Sequence, residues 1–237
     1  MKINYLTKNL SNLFLDIFYP KRCIGCGKYG LFVCLDCAKE IEILKTSVCP
    51  ECGKITTSCQ YCPACRTRLK TALSGIFIAS RYDAGPTKEI IHHLKYSGFI
   101  ELSELLGELL CEKLSNNSIP SNCVVVPVPL YRKKELERGF NQAELIARYI
   151  SKKLNISGGD ALIRSRNTRT QVGLNRGERI RNCADAFACV DPELVSGKNV
   201  LLVDDVVTTG TTLSECAKVL KIAGAKRVYG VVVAKRI

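Results

Sequence analysis

The chain has 237 residues, 46% of them apolar, and carries 35 Lys and Arg against 22 Asp and Glu, a net charge of +13. Its apolar runs are too short to span a bilayer, which argues against a helical membrane protein. The basic balance favours an acidic partner such as nucleic acid, although charge alone does not separate that from a solvated basic surface. Fourteen cysteines are many for this length, and nine of them fall between Cys23 and Cys65. Residues 1–20 contain Lys2, Lys8 and Asp16, and no small-residue cleavage site follows. That is not a secretory leader, so the expected compartment is cytoplasmic, where paired cysteines more often bind metal than form disulfides.

In residues 3–18, Leu6, Leu10, Leu13, Phe14 and Ile17 recur at helical spacing, so a helix packed on the protein's own body is expected, with docking on a partner or membrane as the alternative. Four CxxC pairs follow: Cys23/Cys26, Cys34/Cys37, Cys49/Cys52 and Cys62/Cys65. Each pair is a knuckle that turns two thiolates inward, and two knuckles supply the tetrahedral sulfur set that zinc prefers. Two structural zinc ions are therefore expected, with an iron–sulfur centre as the alternative. Spacing leaves open whether neighbouring or interleaved knuckles pair, and Cys59 could compete as a ligand. The region is too poor in apolar residues for a core of its own, so metal would drive its folding.

Residues 72–82 read as a strand. A short helix with Ile90, Ile91 and Leu94 runs to Gly98, with Lys95 and Tyr96 at its end, and a leucine-rich helix follows from Leu102 to Leu114. His92 and His93 are adjacent, so they do not share a helix face as ligands. Cys123 to Val126 is a buried strand closed by Pro127-Val128-Pro129. Asn141 and Glu144 mark the start of a further helix, preceded by the basic stretch Arg132 to Arg138. Residues 164–181 hold six arginines against Glu178 and read as a mobile basic loop. The arginines Arg164, Arg166, Arg169, Arg176 and Arg179 suit nucleic-acid phosphates. With few aromatics and no Trp, phosphate contacts rather than base stacking should carry such binding.

The stretch with the most chemistry is Val200 to Leu213, VLLVDDVVTTGTTL. Four apolar residues fit a parallel strand buried on both faces. Asp204 and Asp205 follow, then the turn Thr208-Thr209-Gly210-Thr211-Thr212, then a helix in which Thr212 and Glu215 have capping-box spacing and which stops at Gly224. A small-residue turn at a helix N-terminus binds phosphate through backbone N–H groups and the helix dipole. Two carboxylates beside it suit hydroxyls or magnesium. The combination asks for a phosphorylated sugar together with a metal. Val228 to Ala234 is a last buried strand.

This run resembles the phosphoribosyl-pyrophosphate (PRPP) loop of type I phosphoribosyltransferases. The resemblance implies an α/β fold with a parallel sheet flanked by helices. It gives Asp204 and Asp205 to the ribose hydroxyls and magnesium, and Thr208 to Thr212 to the 5′-phosphate. Purine-salvage members carry an acid where this chain has Thr208, so that activity is not implied. The knuckles, VPVPL, RGFNQAE, Gln171-x-Gly-Leu and the PRPP-type loop occur in the order found in ComF-type competence proteins. That resemblance covers nearly the whole chain. It implies a zinc module at residues 1–70 and a transferase-like domain at 71–237. It also places Pro127, Val128, Arg138, Arg169 and Gln171 at the pyrophosphate or in a lid over it, and a basic residue such as Lys95 near the substrate. The role implied is binding single-stranded DNA during natural transformation, with other competence proteins as partners. A phosphoribosyltransferase with an unidentified acceptor and a competence scaffold are the competing readings. No candidate catalytic base is evident in the sequence.

Overall fold

In this computed structural model, residues 20–57, 59–69, 71–165 and 186–236 are described. The helix expected at 3–18 and the positions Arg166, Arg169, Gln171, Arg176 and Arg179 lie outside them. Four strands pair in parallel in the order β1–β6–β5–β2: β1 Gly75–Arg81, β2 Cys123–Pro127, β5 Asn199–Val207 and β6 Arg227–Lys235. The register runs Val124↔Val200 and Pro127↔Val203 on one side of β5, and Val203↔Val231 on the other. A separate two-stranded antiparallel pair, β3 Leu162–Arg164 and β4 Phe187–Cys189, stands apart from this sheet.

Both faces of the sheet are covered, which explains why its strands read as continuous apolar runs rather than alternating ones. Along β5, Leu201 and Val203 join one core cluster while Val200 and Leu202 join the other. The first cluster is closed by α3 (Thr87–Tyr96), α4 (Leu102–Ser115) and α6 (Gln142–Leu154), through Ile90, Leu94, Leu106, Leu110, Ile146 and Ile150. The second is closed by α8 (Thr211–Ile222), through Leu213, Cys216, Ala217 and Leu220. Helix α6 starts as its sequence suggests: the Asn141 side chain accepts from Ala143 N at 3.0 Å. The expected capping box at Thr212 does not form. Helix α8 begins two residues earlier than that box requires, at Thr211, with Gly210 as its N-cap in the left-handed region (φ 73°) and no side chain closing the cap. Glu215 instead pairs with Lys218 at 2.7 Å. The strand-to-helix reversal needs a positive φ at Gly210, and that turn fixes the helix start ahead of any side-chain cap.

The cysteine-rich module contributes two short helices, α1 (Leu35–Lys39) and α2 (Pro63–Leu69), and lies across the open edge of the sheet at β1. Ile43 and Gln60 make antiparallel bridges to Ser80 and Gly75. Leu44 N donates to Ala79 O at 2.8 Å, and Ile76 N donates to Cys59 O at 3.0 Å. The buried Lys113 of α4 donates to Leu44 O and Thr46 O, tying the module to the helical face. Cys23 and Cys37 enter the first core cluster and Cys49, Cys62 and Cys65 the second, so the module borrows a core from both faces instead of building its own. Besides α1 and α2, two further helices went unanticipated: α5 (Arg132–Arg138), which buries no residue, and the four-residue α7 (Pro192–Val195).

Candidate functional site

Strand β5 carries the acid pair to the C-terminal end of the parallel sheet, where the turn at 208–210 leads into α8. Asp205 is 4% exposed and forms an ion pair with Lys95, the penultimate residue of α3. Asp204 accepts from the Asp205 backbone N–H at 2.8 Å. The two carboxyls are driven apart. Burial, then the adjacent Asp205 charge, pushes Asp204 well above the usual carboxylate range. Burial pushes Asp205 the same way, but the Lys95 charge and a hydrogen bond from Asp204 outweigh it and hold Asp205 below that range. Burial works against the Lys95 ammonium, and Asp205 more than restores it. The site thus gathers two carboxyls and one ammonium in close contact, with ionisation disfavoured at Asp204 and favoured at Asp205. In the turn, the hydroxyls of Thr209 and Thr211 lie 2.8 Å apart, and Thr211 is buried at the helix start.

Beside the acid pair, Lys95, Tyr96, Gly98, Lys134, Glu137 and Arg138 line a cavity of about 360 Å³. Arg138 donates to Gln142 Oε1 and lies over the Tyr96 ring, 5.5 Å from its centroid. The RGFNQ stretch therefore reaches the acid-pair region through Arg138. The loop after β2 is pinned from two sides: Val128 N donates to Val203 O at 2.8 Å, and Asn141 Nδ2 donates to Val128 O at 3.1 Å. Pro127 lines a second cavity of about 460 Å³ together with Arg132, Glu135, Glu144, Asp160 and Arg164. Arg164 ends β3 and lies over the Phe187 ring, so the first of the expected DNA arginines belongs to the small sheet. His92 lies 4.8 Å from Tyr96 and His93 stacks on Phe99, consistent with packing rather than ligation. Lys95 was legible only as a basic helix end, and Lys134 only as one of several cations in the stretch Arg132 to Arg138, because α5 has no apolar stripe to orient it.

The eight knuckle cysteines form two quartets, Cys23/Cys26/Cys34/Cys37 and Cys49/Cys52/Cys62/Cys65, with the ligand atoms of each within 4.8 Å of one another. Neighbouring knuckles pair and interleaving does not occur. Sulfurs on adjacent knuckles lie 3.6 Å apart (Cys26–Cys34) and 3.7 Å apart (Cys52–Cys62). Those separations match a tetrahedral zinc with bonds near ~2.3 Å. The Cys34 N–H donates to Cys23 Sγ at 3.3 Å. Burial opposes thiolate formation at Cys23 and Cys49, but backbone N–H donors outweigh it and bring each down to about 6. Zinc would be held as a structural ion with all four positions taken by sulfur. Cys59 is outside both quartets, buried beside Ser47 Oγ and Asn117 Oδ1.

Family models match the chain in the same order. A double zinc ribbon domain matches residues 14–66 and a phosphoribosyl transferase domain matches residues 138–237. The DNA utilization protein YhgH of Escherichia coli (strain K12) is 32% identical over 212 residues, covering 86% of this chain and 90% of that protein. Competence protein F of Haemophilus influenzae is 28% identical, covering 83% and 94%. Competence protein ComFC of Bacillus subtilis is 29% identical, covering 79% and 77%. With two cysteine quartets, a parallel transferase-type sheet and relatives matched along most of their length, the chain belongs to the ComF family of competence-associated proteins.

Proposed function

We propose that the chain binds PRPP with magnesium at its transferase-like domain (71–237) and handles single-stranded DNA, residues 1–70 serving as a zinc module. The observation that carries the PRPP reading is the acid pair at the end of β5, one residue of it ion-paired and buried, directly before a threonine turn at a helix N-terminus. Backbone N–H groups of residues 208–212 would hold the 5′-phosphate. Asp204 and Asp205 would hold the ribose hydroxyls and magnesium, a role for which their oxygen donors fit. Arg138 and the pinned Pro127–Val128 loop would face the pyrophosphate. The DNA reading is supported by the +13 charge and by relatives named for DNA utilization and competence. Among the described residues no helix is long and apolar enough to cross a membrane.

Isothermal titration with PRPP, with and without magnesium, tests the sugar-phosphate site. Binding should require magnesium and weaken in Asp205→Asn by about 1–3 kcal/mol. Equal affinity in the wild type and the variant would refute the assignment. Fluorescence anisotropy with single-stranded oligonucleotides over a salt series tests the DNA reading. Contacts to phosphate release counterions, so affinity should fall steeply as salt rises.

A further inference from the structure

Helix α5 packs away no side chain, yet it is held at one place. Its cations Lys134 and Arg138 come to the end of α3 and, with Lys95, line one side of the cavity next to the acid pair. Glu137 is the acid in the lining. Burial, followed by the charges of Arg164 and Arg138, holds Lys134 below the ordinary lysine value. At the rim of the same cavity stands Tyr96, 68% exposed. Arg138 lies over its ring and His92 lies 4.8 Å from it, so planar groups are gathered at a solvent-facing spot. Cations beside an exposed aromatic ring are what a base and its phosphate require together.

The geometry points to a nucleotide-unit site on this face: single-stranded nucleic acid seats one base against Tyr96 and its flanking phosphate against Lys134 and Arg138. This rests on the DNA reading above and says where the strand sits. It also revises the expectation from composition that stacking contributes little, since one well-placed ring suffices for one base. The adjacency has a consequence. Lys95 belongs both to this cavity and to the Asp205 ion pair, and Arg138 would face either the pyrophosphate or the strand, so strand binding and magnesium–PRPP binding compete for shared cations.

The test compares a labelled 20-nucleotide oligothymidylate with an abasic strand of the same length, by anisotropy on the zinc-loaded full chain. The wild type should bind the base-bearing strand about tenfold more tightly, the effect of one stacked base. Tyr96→Ala should remove that preference and leave abasic binding unchanged, while Tyr96→Phe should keep it. Lys134→Glu should weaken both strands by a similar factor. Because Tyr96 and Lys134 are not core residues, circular dichroism and zinc content should match the wild type. A base preference that survives Tyr96→Ala would overturn the site while leaving DNA binding standing. No affinity of the wild type for either strand would overturn the DNA reading and this site with it.

Discussion

Replacing Lys95 with methionine should destabilise the protein, and the loss should depend on pH in a direction the ion pair dictates. The Lys95 side chain is 20% exposed and that of Asp205 6%, so deleting the ammonium strands a buried carboxylate. Removing one partner of a buried pair costs about 3–5 kcal/mol. Asp205 can limit that cost by binding a proton. Protonating a carboxyl with an unfolded value near ~3.9 costs about 4 kcal/mol at pH 7 and about 2 kcal/mol at pH 5.5, at ~1.36 kcal/mol per unit. In the wild type Asp205 is held below its usual value, so the stability it contributes is present above the unfolded pKa and is lost as pH falls through the folded one. In Lys95→Met the folded value rises above the unfolded one, so the penalty is greatest at neutral pH and fades on acidification.

Urea unfolding followed by circular dichroism at pH 7 and pH 5.5, with zinc in excess, measures the difference. Lys95→Met should lose about 4 kcal/mol at pH 7 and about half of that at pH 5.5. The double variant Lys95→Met/Asp205→Asn should recover most of the loss at pH 7, because an amide leaves no charge to strand. A loss under about 1 kcal/mol at pH 7, equal losses at both pH values, or no rescue would refute the buried pair as the organising charge of the site.

Native mass spectrometry should find two zinc ions per chain, and a count of one would leave a quartet empty. Chelation should promote self-association, since zinc-driven folding of the module is what keeps the β1 edge covered. Thermal melts should show Gly75→Ala losing about 1–3 kcal/mol, because a Cβ there would come within 2.4 Å of the Cys59 carbonyl oxygen; an unchanged melt would mean that the module does not hold that edge. Cys59→Ser should leave zinc stoichiometry at two, since Cys59 is outside both quartets, and a drop to one would make it a ligand.

The strand, acids, turn and helix at 200–222 were legible because each rests on a local requirement. A strand buried on both faces needs an unbroken apolar run, and the reversal into α8 needs glycine at a positive φ. The capping box was misread because Thr212 and Glu215 have the right spacing, while the turn had already set the helix start. The quartets were legible from CxxC spacing, but their pairing was not, because interleaved and neighbouring knuckles share that spacing. What decides the pairing is tertiary: the module crosses the sheet edge and puts one quartet in each core. Strands β3 and β4 span three residues each and are too short for a period, and Ile163 points an apolar side chain to solvent. Helix α5 buries nothing and so has no apolar stripe to read, although it brings two cations to the site.

The zinc module and the acid pair are joined by α3. The segment that carries the first quartet lies at both ends of that helix. At Gly25 there is no room for a side chain: a Cβ would come within 2.7 Å of Cys37 Sγ and 3.9 Å of Pro86, the residue that caps the start of α3; Phe32 stacks on Phe99, just past its end, with ring centroids 4.1 Å apart. Lys21 adds an ion pair to Glu101 at 2.9 Å, over the same junction. Lys95 and Tyr96 sit on the last turn between these braces. A helix of ten residues is too short to hold its own geometry, so its position comes from what it packs against. Part of that packing depends on thiolates that zinc gathers. The sheet places Asp205, the module steadies the helix that places Lys95, and the ion pair between them is where the two halves of the chain meet.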